Sequence, residues 1–378
     1  MATLIFLWNY VIVPLIVLTI LVFVHELGHY LVARYNRVRV EVFSIGFGSE
    51  LYGWTDRVGT RWKISAIPLG GYVKMFGEKD AVGWGEDERA MTAEERAVSF
   101  HHKRLGQRAA IVAAGPIANF LFAIVVLGAL FATLGSPAPL AGIGSVQEGS
   151  AAAGADLRPG DRIAAIDGQP VRWFEDLRAV VSKAPGRPLV LDVERDGGSV
   201  ALTVTPQRSE SVGANGATEV VGMLGVRPDP AQIGYERHDP LTAIWLGVER
   251  TAGLCWQILS YIGQIIGGTQ SADQLGGPLR IAQMSGDMAQ GGVVSLILFM
   301  VALSVNLGLI NLFPVPMLDG GHLVFYAFEA LRGRPLSERV QEYGFRFGLA
   351  LVLLLMVFAT WNDLVQWKVF QFLKQLVT

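Results

Sequence analysis

The sequence has 378 residues, of which 51% are hydrophobic and only 17% are charged. With a mean hydropathy of +0.40, this composition predicts several membrane spans rather than one soluble core. A net charge of −2 argues against a nucleic-acid-binding protein, which would carry a basic surface. The single cysteine, Cys255, excludes an intrachain disulfide and a thiolate zinc cluster, so a metal site must use histidine and carboxylate ligands.

Four stretches without charge in their cores predict membrane spans, at residues 1–35, 109–135, 293–322 and 347–365. The first stretch has neither a basic N-terminal region nor a small-residue cleavage pattern, so we expect a retained span rather than a signal peptide. The sequence therefore predicts a polytopic α-helical membrane protein with about four spans, ending in a C-terminal tail at residues 366–378.

Basic residues near the span ends predict the orientation, because cytoplasmic loops are enriched in Lys and Arg. They cluster in and beside two connections, residues 36–108 and 323–346, which we expect to be cytoplasmic. These residues are Arg34, Arg37, Arg39, Lys103, Arg104, Arg108, Arg332, Arg334, Arg339 and Arg346. By parity, both termini and the region between the second and third spans face outward, although Lys368 and Lys374 in the tail oppose this orientation.

The outward region begins with a small α+β domain at residues 138–208. Its apolar strand ends in the tight turn Asp167-Gly168, and a helix at 173–182 is followed by strands at 189–195 and 200–205. This order resembles a bacterial PDZ domain, with an unrelated small β-rich domain as the alternative.

The post-PDZ region, residues 209–292, contains an apolar stretch at residues 241–266. Glu249 and Arg250 lie near the middle of that stretch, where a membrane span would bury both charges at a cost of about 2.5–3.5 kcal/mol each. We therefore favour an interfacial amphipathic helix over a fifth span.

The cytoplasmic connection after the first span carries hairpin signals. Residues 37–47 alternate apolar and polar side chains, and residues 61–67 form a second strand candidate that continues through Pro68 to Met75. This pattern predicts a membrane-associated β-hairpin or sheet that offers an edge to an extended peptide. An ordinary hairpin beside a loop is the alternative.

The motif His25-Glu26-Leu27-Gly28-His29 closes the first apolar stretch. Residues four apart share one helix face, so His25 and His29 can bind one zinc ion, which suits imidazole and carboxylate ligands. Glu26 lies beside this pair, and we expect it to act as the general base that takes a proton from an attacking water molecule. The alternative is a polar cluster at a helix end, but ionisable residues inside spans indicate functional sites by default.

A catalytic zinc needs a third protein ligand. His101 and His102 are expected to face solvent, and His238 lies on the outward side, which leaves the end of the third span. There the segment 311–322 contains two helix-breaking prolines and both Asp319 and His322. The residues alone favour Asp319 over His322 only slightly.

The sequence resembles the site-2 protease family, in particular its bacterial RseP-type members. The resemblance rests on HELGH in the first span, a PDZ-like region between spans two and three, and a late Asn-x-x-Pro-x-Pro-x-Leu-Asp-Gly motif. Further matching segments are Gly46-Phe47-Gly48, Ile67-Pro68-Leu69-Gly70-Gly71-Tyr72-Val73-Lys74-Met75 and Ala114-Gly115-Pro116-Ile117-Ala118-Asn119. Some members carry two PDZ domains, whereas this chain has room for one.

The resemblance implies specific roles for several residues. Asp319 becomes the third zinc ligand and His322 its neighbour. Gly71 and Tyr72 of the hairpin, together with Asn311, are expected to contact the substrate backbone. Asn306 either assists them or packs between helices, and Asn119 is interpreted as a helix-packing residue.

The predicted function is therefore an intramembrane zinc endopeptidase of the bacterial inner membrane. Its expected partners are single-span membrane proteins, such as anti-sigma factors, already trimmed by a site-1 protease, and remnant signal peptides form a second class. A catalytically inactive PDZ-containing membrane adaptor would be expected to lack at least one of His25, Glu26, His29 and Asp319, and all four are present. A transporter would be expected to show an internal repeat of spans, which the sequence lacks.

Overall fold

The computed structural model describes residues 2–77, 91–212, 218–271 and 276–366. The predicted tail at 366–378 therefore lies, apart from its first residue, outside the described residues. The chain divides into two compact units. The first comprises the residues up to Gly128 together with those from Ile244 onward, and the second runs from Ala129 to Ala243.

Helices dominate the first unit. The helices of the chain are α1 (Ala2–Leu7), a π-helical turn (Trp8–Ile12), α2 (Val13–Tyr35), α3 (Ala93–Val98), α4 (Leu105–Thr133), α5 (Ala151–Gly154), α6 (Phe174–Ser182), α7 (Pro240–Ile266), α8 (Pro278–Gln290), α9 (Val293–Asn311), α10 (Asp319–Arg332) and α11 (Glu338–Gln366).

Most strands lie in the second unit. The strands of the chain are β1 (Val40–Thr55), β2 (Arg61–Met75), β3 (Ser136–Pro139), β4 (Ile143–Val146), β5 (Arg162–Ile166), β6 (Gln169–Pro170), β7 (Leu189–Arg195), β8 (Gly198–Val204), β9 (Gln207–Val212), β10 (Thr218–Met223), β11 (Val226–Pro228) and β12 (Ile233–Glu236).

Within the described residues, four helical stretches are long and apolar enough to cross a bilayer: Thr3–Tyr35, Leu105–Thr133, Val293–Asn311 and Arg339–Val365. Their number equals that predicted from the sequence. How they are oriented across a membrane stays a prediction.

The third predicted span, residues 293–322, is divided in the structure. α9 ends at Asn311 and α10 begins at Asp319, because Pro314 and Pro316 between them lack the N–H groups that would continue the helix. The apolar stretch at 241–266 is helical, as α7. Large apolar side chains along it, among them Leu241, Trp245 and Trp256, are exposed, and its interfacial position stays a prediction.

α2 presents its two histidines on a buried face. The run from Val13 to Val24 is uncharged, and Pro14 is tolerated because the first N–H groups of a helix have no partner within it. The buried positions recur at helical spacing, which places both imidazoles toward the other helices. They are Val13, Pro14, Val17, Leu21, His25, Gly28, His29 and Ala33.

β1 and β2 form the predicted sheet beside α2. Val42 of β1 pairs with Lys74 and also with Arg61, so the first half of β1 lies between the two halves of β2. Residues 71–75 of β2 pair with residues 40–45 on one side, and the register gives them no strand on the other side among the described residues. Gly71 lies in this edge segment, and a Cβ there would come within 2.9 Å of Val22 of α2.

The second unit is built around a four-stranded antiparallel sheet in the order β6-β5-β7-β8. The predicted strand at 189–195 and helix at 173–182 are confirmed as β7 and α6. Asp167 and Gly168 both have positive φ, 49° and 76°, in the two-residue turn between β5 and β6. That conformation suits Asp-Gly and matches the twist of a hairpin.

This unit extends beyond the predicted boundaries of 138 and 208. β11 pairs with β4, and β12 pairs with β3, so residues up to 236 return to strands at the start of the unit. Its core consists of apolar side chains from strands and helices alike. Those less than 2% exposed include Ala141, Ile143, Ala152, Ile163, Ile166, Leu177, Leu189, Leu191, Val193 and Val204.

A buried ion pair between Asp161 and Arg195 connects the turn before β5 to β7. The Asp161 side chain is 1% exposed, and Arg195 donates to both its oxygens, Nε to Oδ1 at 2.7 Å and Nη2 to Oδ2 at 2.8 Å. The backbone N–H of Arg158 donates a third hydrogen bond at 2.8 Å. Burial raises the pKa of Asp161, but the hydrogen bonds from Arg195 and Arg158 outweigh it and hold the pKa below its usual value.

We expect Arg195→Leu to lower the unfolding free energy of this unit by more than the loss of a surface ion pair would, because Asp161 would remain buried without its cation. The lowered pKa of Asp161 adds stability that is complete above the unfolded pKa of about 3.9 and is lost as the pH falls through the folded value. Hydrogen exchange of β5 and β7 amides in the intact protein measures both effects.

Arg187→Leu is the matched control, because Arg187 is 66% exposed and pairs with Asp167 at the surface. Such pairs contribute about 0–1 kcal/mol. Equal exchange rates in the two variants would contradict the role given to the buried pair.

Candidate metal centre

His25 and His29 face one another on α2, one helical turn apart. Their Nε2 atoms are 3.2 Å apart, and both residues are 9% exposed. The His29 Nδ1 atom lies 2.9 Å from the backbone oxygen of Ile111 on α4. Since a carbonyl only accepts, Nδ1 carries the proton and donates it, which leaves the His29 Nε2 lone pair free for a metal.

Asp319 brings a carboxylate to these nitrogens from the first residue of α10. Its Oδ2 lies 3.2 Å from the Nε2 of His25 and 3.5 Å from that of His29. The turn before it passes close to α10, since a Cβ on Gly320 would lie 2.3 Å from the oxygens of Leu312 and Phe313. The absence of a side chain at Gly320 therefore permits the approach of Asp319.

The donor set fits a zinc ion. The three ligand atoms all lie within 4.8 Å of one another. Asp319 Oδ2 is buried and accepts no hydrogen bond within the described part of the chain. Two imidazoles and one carboxylate are ligands that zinc prefers, and three protein ligands leave the fourth tetrahedral position open for water or substrate. A buried carboxylate oxygen without a donor is stabilised when a cation takes that place.

The backbone of α4 packs closely against both imidazoles. A Cβ on Gly115 of α4 would lie 2.3 Å from His29 Nε2 and 2.8 Å from His25 Cε1. On α2, a Cβ on Gly28 would lie 2.3 Å from the oxygen of Ala114. Both glycines therefore allow α2 and α4 to approach closely beside the imidazoles.

Glu26 lies next to His25 on α2, where it meets the edge segment of β2. The backbone of Val73 in that segment lies near the Glu26 carboxylate and interacts with it. A Cβ on Gly71 would lie 3.4 Å from the Glu26 Cγ. The predicted base thus adjoins the strand edge predicted to receive substrate.

The remaining predicted site residues differ in their surroundings. The Tyr72 ring stacks on Phe47 at 6.1 Å between centroids, with the Lys63 ammonium 5.3 Å from it. Asn306 and Asn311 lie on α9, and among the described residues no hydrogen-bond partner is found for either amide. His322 lies one turn beyond Asp319, but its ring contacts Phe345 of α11 at 5.2 Å. The structure brings Asp319, and not His322, into the histidine cluster.

Sequence reasoning missed the part played by α4. Ile111, Gly115 and Asn119 recur every four residues, so they share one face of the helix, and that face lies against the two imidazoles. The four-residue spacing of these positions around Pro116 indicates from the sequence that they share one helix face. Only the fold shows that this face contacts the histidines.

Comparisons with known proteins identify relatives over almost the whole chain. The sequence model of peptidase family M50 matches residues 13–355. A protein of Agrobacterium fabrum that bears a zinc metalloprotease name, Atu1380, is 49% identical, covering 95% of this chain and 96% of that protein. Metalloprotease MmpA of Caulobacter vibrioides is 39% identical, covering 96% and 97%. The regulator of sigma-E protease RseP of Salmonella typhimurium is 36% identical, covering 94% and 98%.

Among solved structures, the PDZ domain of the SdrC-like protein Lin2157 of Listeria innocua is similar, at 18% identity and a TM-score of 0.20. It covers 26% of this chain and 99% of that domain. At this TM-score, the fold of the second unit is described by its own strands and helices alone.

The chain belongs to peptidase family M50, the family of site-2 proteases. It is a zinc metalloprotease of this family, and Atu1380, a relative over almost the whole chain, bears that name. Its apolar helices and its likeness to RseP indicate a protein of the inner membrane.

Gly115→Ala tests the close packing of α4 on the imidazoles. Because the added Cβ would meet His29 Nε2, we expect the zinc affinity to fall more than about 10-fold, measured by chelator competition on purified protein. Gly106→Ala on the same helix is the control, since nothing lies within 4 Å of a Cβ there. Equal zinc affinity in both variants would contradict this packing.

Proposed function

We propose that this metalloprotease cuts single-span membrane proteins within the bilayer, using His25, His29 and Asp319 as zinc ligands and Glu26 as the general base. The observation that carries the proposal is the convergence of these ligand atoms beside α2 and α4, two helices whose sequences are apolar enough to span a membrane. Ionisable residues inside such helices are rare unless they serve a function.

The chemistry divides between the metal and Glu26. Zinc, when bound, acidifies a water molecule and polarises the carbonyl of the scissile bond. Glu26 takes the proton of the attacking water and returns it to the leaving amine. Glu26 lies on the side of the helix that faces the strand edge, since a Cβ on Gly71 of that edge would lie 3.4 Å from its Cγ.

The substrate enters as an extended strand, because a helical peptide hides its carbonyl groups from attack. The edge segment of β2, which includes Gly71 and Tyr72, supports strand addition, since among the described residues the register pairs it with a strand on one side only. Gly71 keeps the edge near Glu26 free of a side chain. Asn311 and Asn306 supply amides that bind the substrate backbone, since neither has a partner among the described residues.

The substrate class is that of anti-sigma factors already cut outside the membrane by a site-1 protease, with remnant signal peptides as a second class. The likeness to a regulator of sigma-E protease supports the first class. The second unit acts as a single PDZ domain on the periplasmic side, where it admits trimmed substrates. Both termini also face the periplasm, consistent with the basic residues of the two cytoplasmic connections.

We expect Glu26→Gln to abolish cleavage of a single-span substrate in proteoliposomes while the protein keeps its zinc. The amide preserves the shape of Glu26 but accepts no proton. Asp319→Ala should lose zinc, whereas His322→Ala should keep it. Cleavage is followed by gel electrophoresis, and metal content by inductively coupled plasma mass spectrometry.

Full activity of Glu26→Gln would rule out its role as the base. Retained zinc in Asp319→Ala, together with loss of zinc in His322→Ala, would overturn the assignment of the third ligand.

A further inference from the structure

Asn119 is the one polar side chain among the three α4 residues that lie against the imidazoles. It is fully buried, at 0% exposure, and its amide lies 3.2 Å from the Nδ1 atom of His25. Its two neighbours on this face act through the backbone, Ile111 by its carbonyl oxygen and Gly115 by lacking a side chain.

The two ends of this amide differ in their partners. The Nδ2 atom faces His25, while Oδ1 is buried and has no hydrogen-bond partner in the described part of the chain. A half-turn of the amide about its Cβ–Cγ bond exchanges these atoms with almost no change in shape. After that half-turn, Oδ1 faces His25 Nδ1 and Nδ2 takes the former place of Oδ1.

Metal binding by His25 requires Asn119 Oδ1, rather than Nδ2, to face His25 Nδ1. When Nε2 binds zinc, the ring proton of a neutral imidazole resides on Nδ1. A buried N–H without an acceptor costs about 1–3 kcal/mol, and Asn119 Oδ1 is the acceptor at hand. His29 meets the same demand by donating to the Ile111 carbonyl.

We infer that Asn119 is a positioning residue. Its Oδ1 accepts a hydrogen bond from His25 Nδ1–H and holds the imidazole in the tautomer and orientation whose Nε2 faces zinc. The inference rests on the proposed assignment of His25 as a ligand. It gives Asn119 a role other than the helix packing expected from the sequence.

Other groups provide the packing at this point. The Ser304 hydroxyl of α9 donates to the Asn119 backbone oxygen at 2.9 Å. Gly308 allows α9 to pack closely against α4, since a Cβ there would lie 3.1 Å from the Pro116 oxygen and 3.2 Å from the Asn119 Cβ. These contacts use the backbone and Cβ of residue 119, which leaves its amide for His25.

The test compares the zinc affinities of full-length Asn119→Leu and Asn119→Asp in detergent by chelator competition. Leucine is nearly isosteric but accepts no hydrogen bond, so we expect affinity to fall about 10- to 100-fold. Aspartate keeps an acceptor at the same place, so its affinity should stay close to wild type. Thr251→Val, which removes another buried hydroxyl, controls for the loss of a polar group in a helix.

Wild-type zinc affinity in Asn119→Leu would overturn the inference, as would equal losses in the leucine and aspartate variants, since packing alone would then explain them. If the leucine variant does not fold, Asn119→Ala takes its place, with the same expectation and the same contradicting result. His25→Ala separates the two proposals: it should lose zinc, and retained zinc there would overturn the ligand assignment itself.

Discussion

The structure depends on the approach of one carboxylate to two imidazoles between apolar helices. Asp319 Oδ2 lies within 3.5 Å of both Nε2 atoms and is buried without a hydrogen-bond donor among the described residues. Such a charge is costly unless a cation compensates it. Zinc would therefore do more than catalyse: it would join α2 to α10, so that metal binding and the packing of distant segments are coupled.

Small residues make this approach possible. Between membrane helices the hydrophobic effect contributes little, and close van der Waals packing takes its place. Gly28, Gly115 and Gly308 lie where a Cβ would meet a neighbouring helix, and each contact involves α4. α4 supplies no ligand of its own, yet its backbone and Asn119 surround both imidazoles. The second span thus acts as the support of the metal centre.

Local patterns in the sequence predicted much of this arrangement. The placing of His25 and His29 on one face follows from helix geometry, and the Asp167-Gly168 pair indicates a hairpin turn from local sequence alone. The third ligand was harder to choose, because Asp319 and His322 are one helical turn apart and only the turn after α9 decides which one faces α2. Likewise, the pairing of β11 with β4 carries the second unit past residue 208, which no local signal reveals.

X-ray absorption spectroscopy at the zinc K-edge of the purified, zinc-loaded protein tests the ligand set most directly. We predict two imidazole ligands, with oxygen atoms as the remaining ligands, and nitrogen or oxygen neighbours at about 2.0–2.2 Å from the zinc. Multiple scattering from the imidazole rings counts the histidines. Three imidazoles, which would require His322 or another histidine in place of Asp319, or a sulfur neighbour at about 2.3 Å, would contradict it.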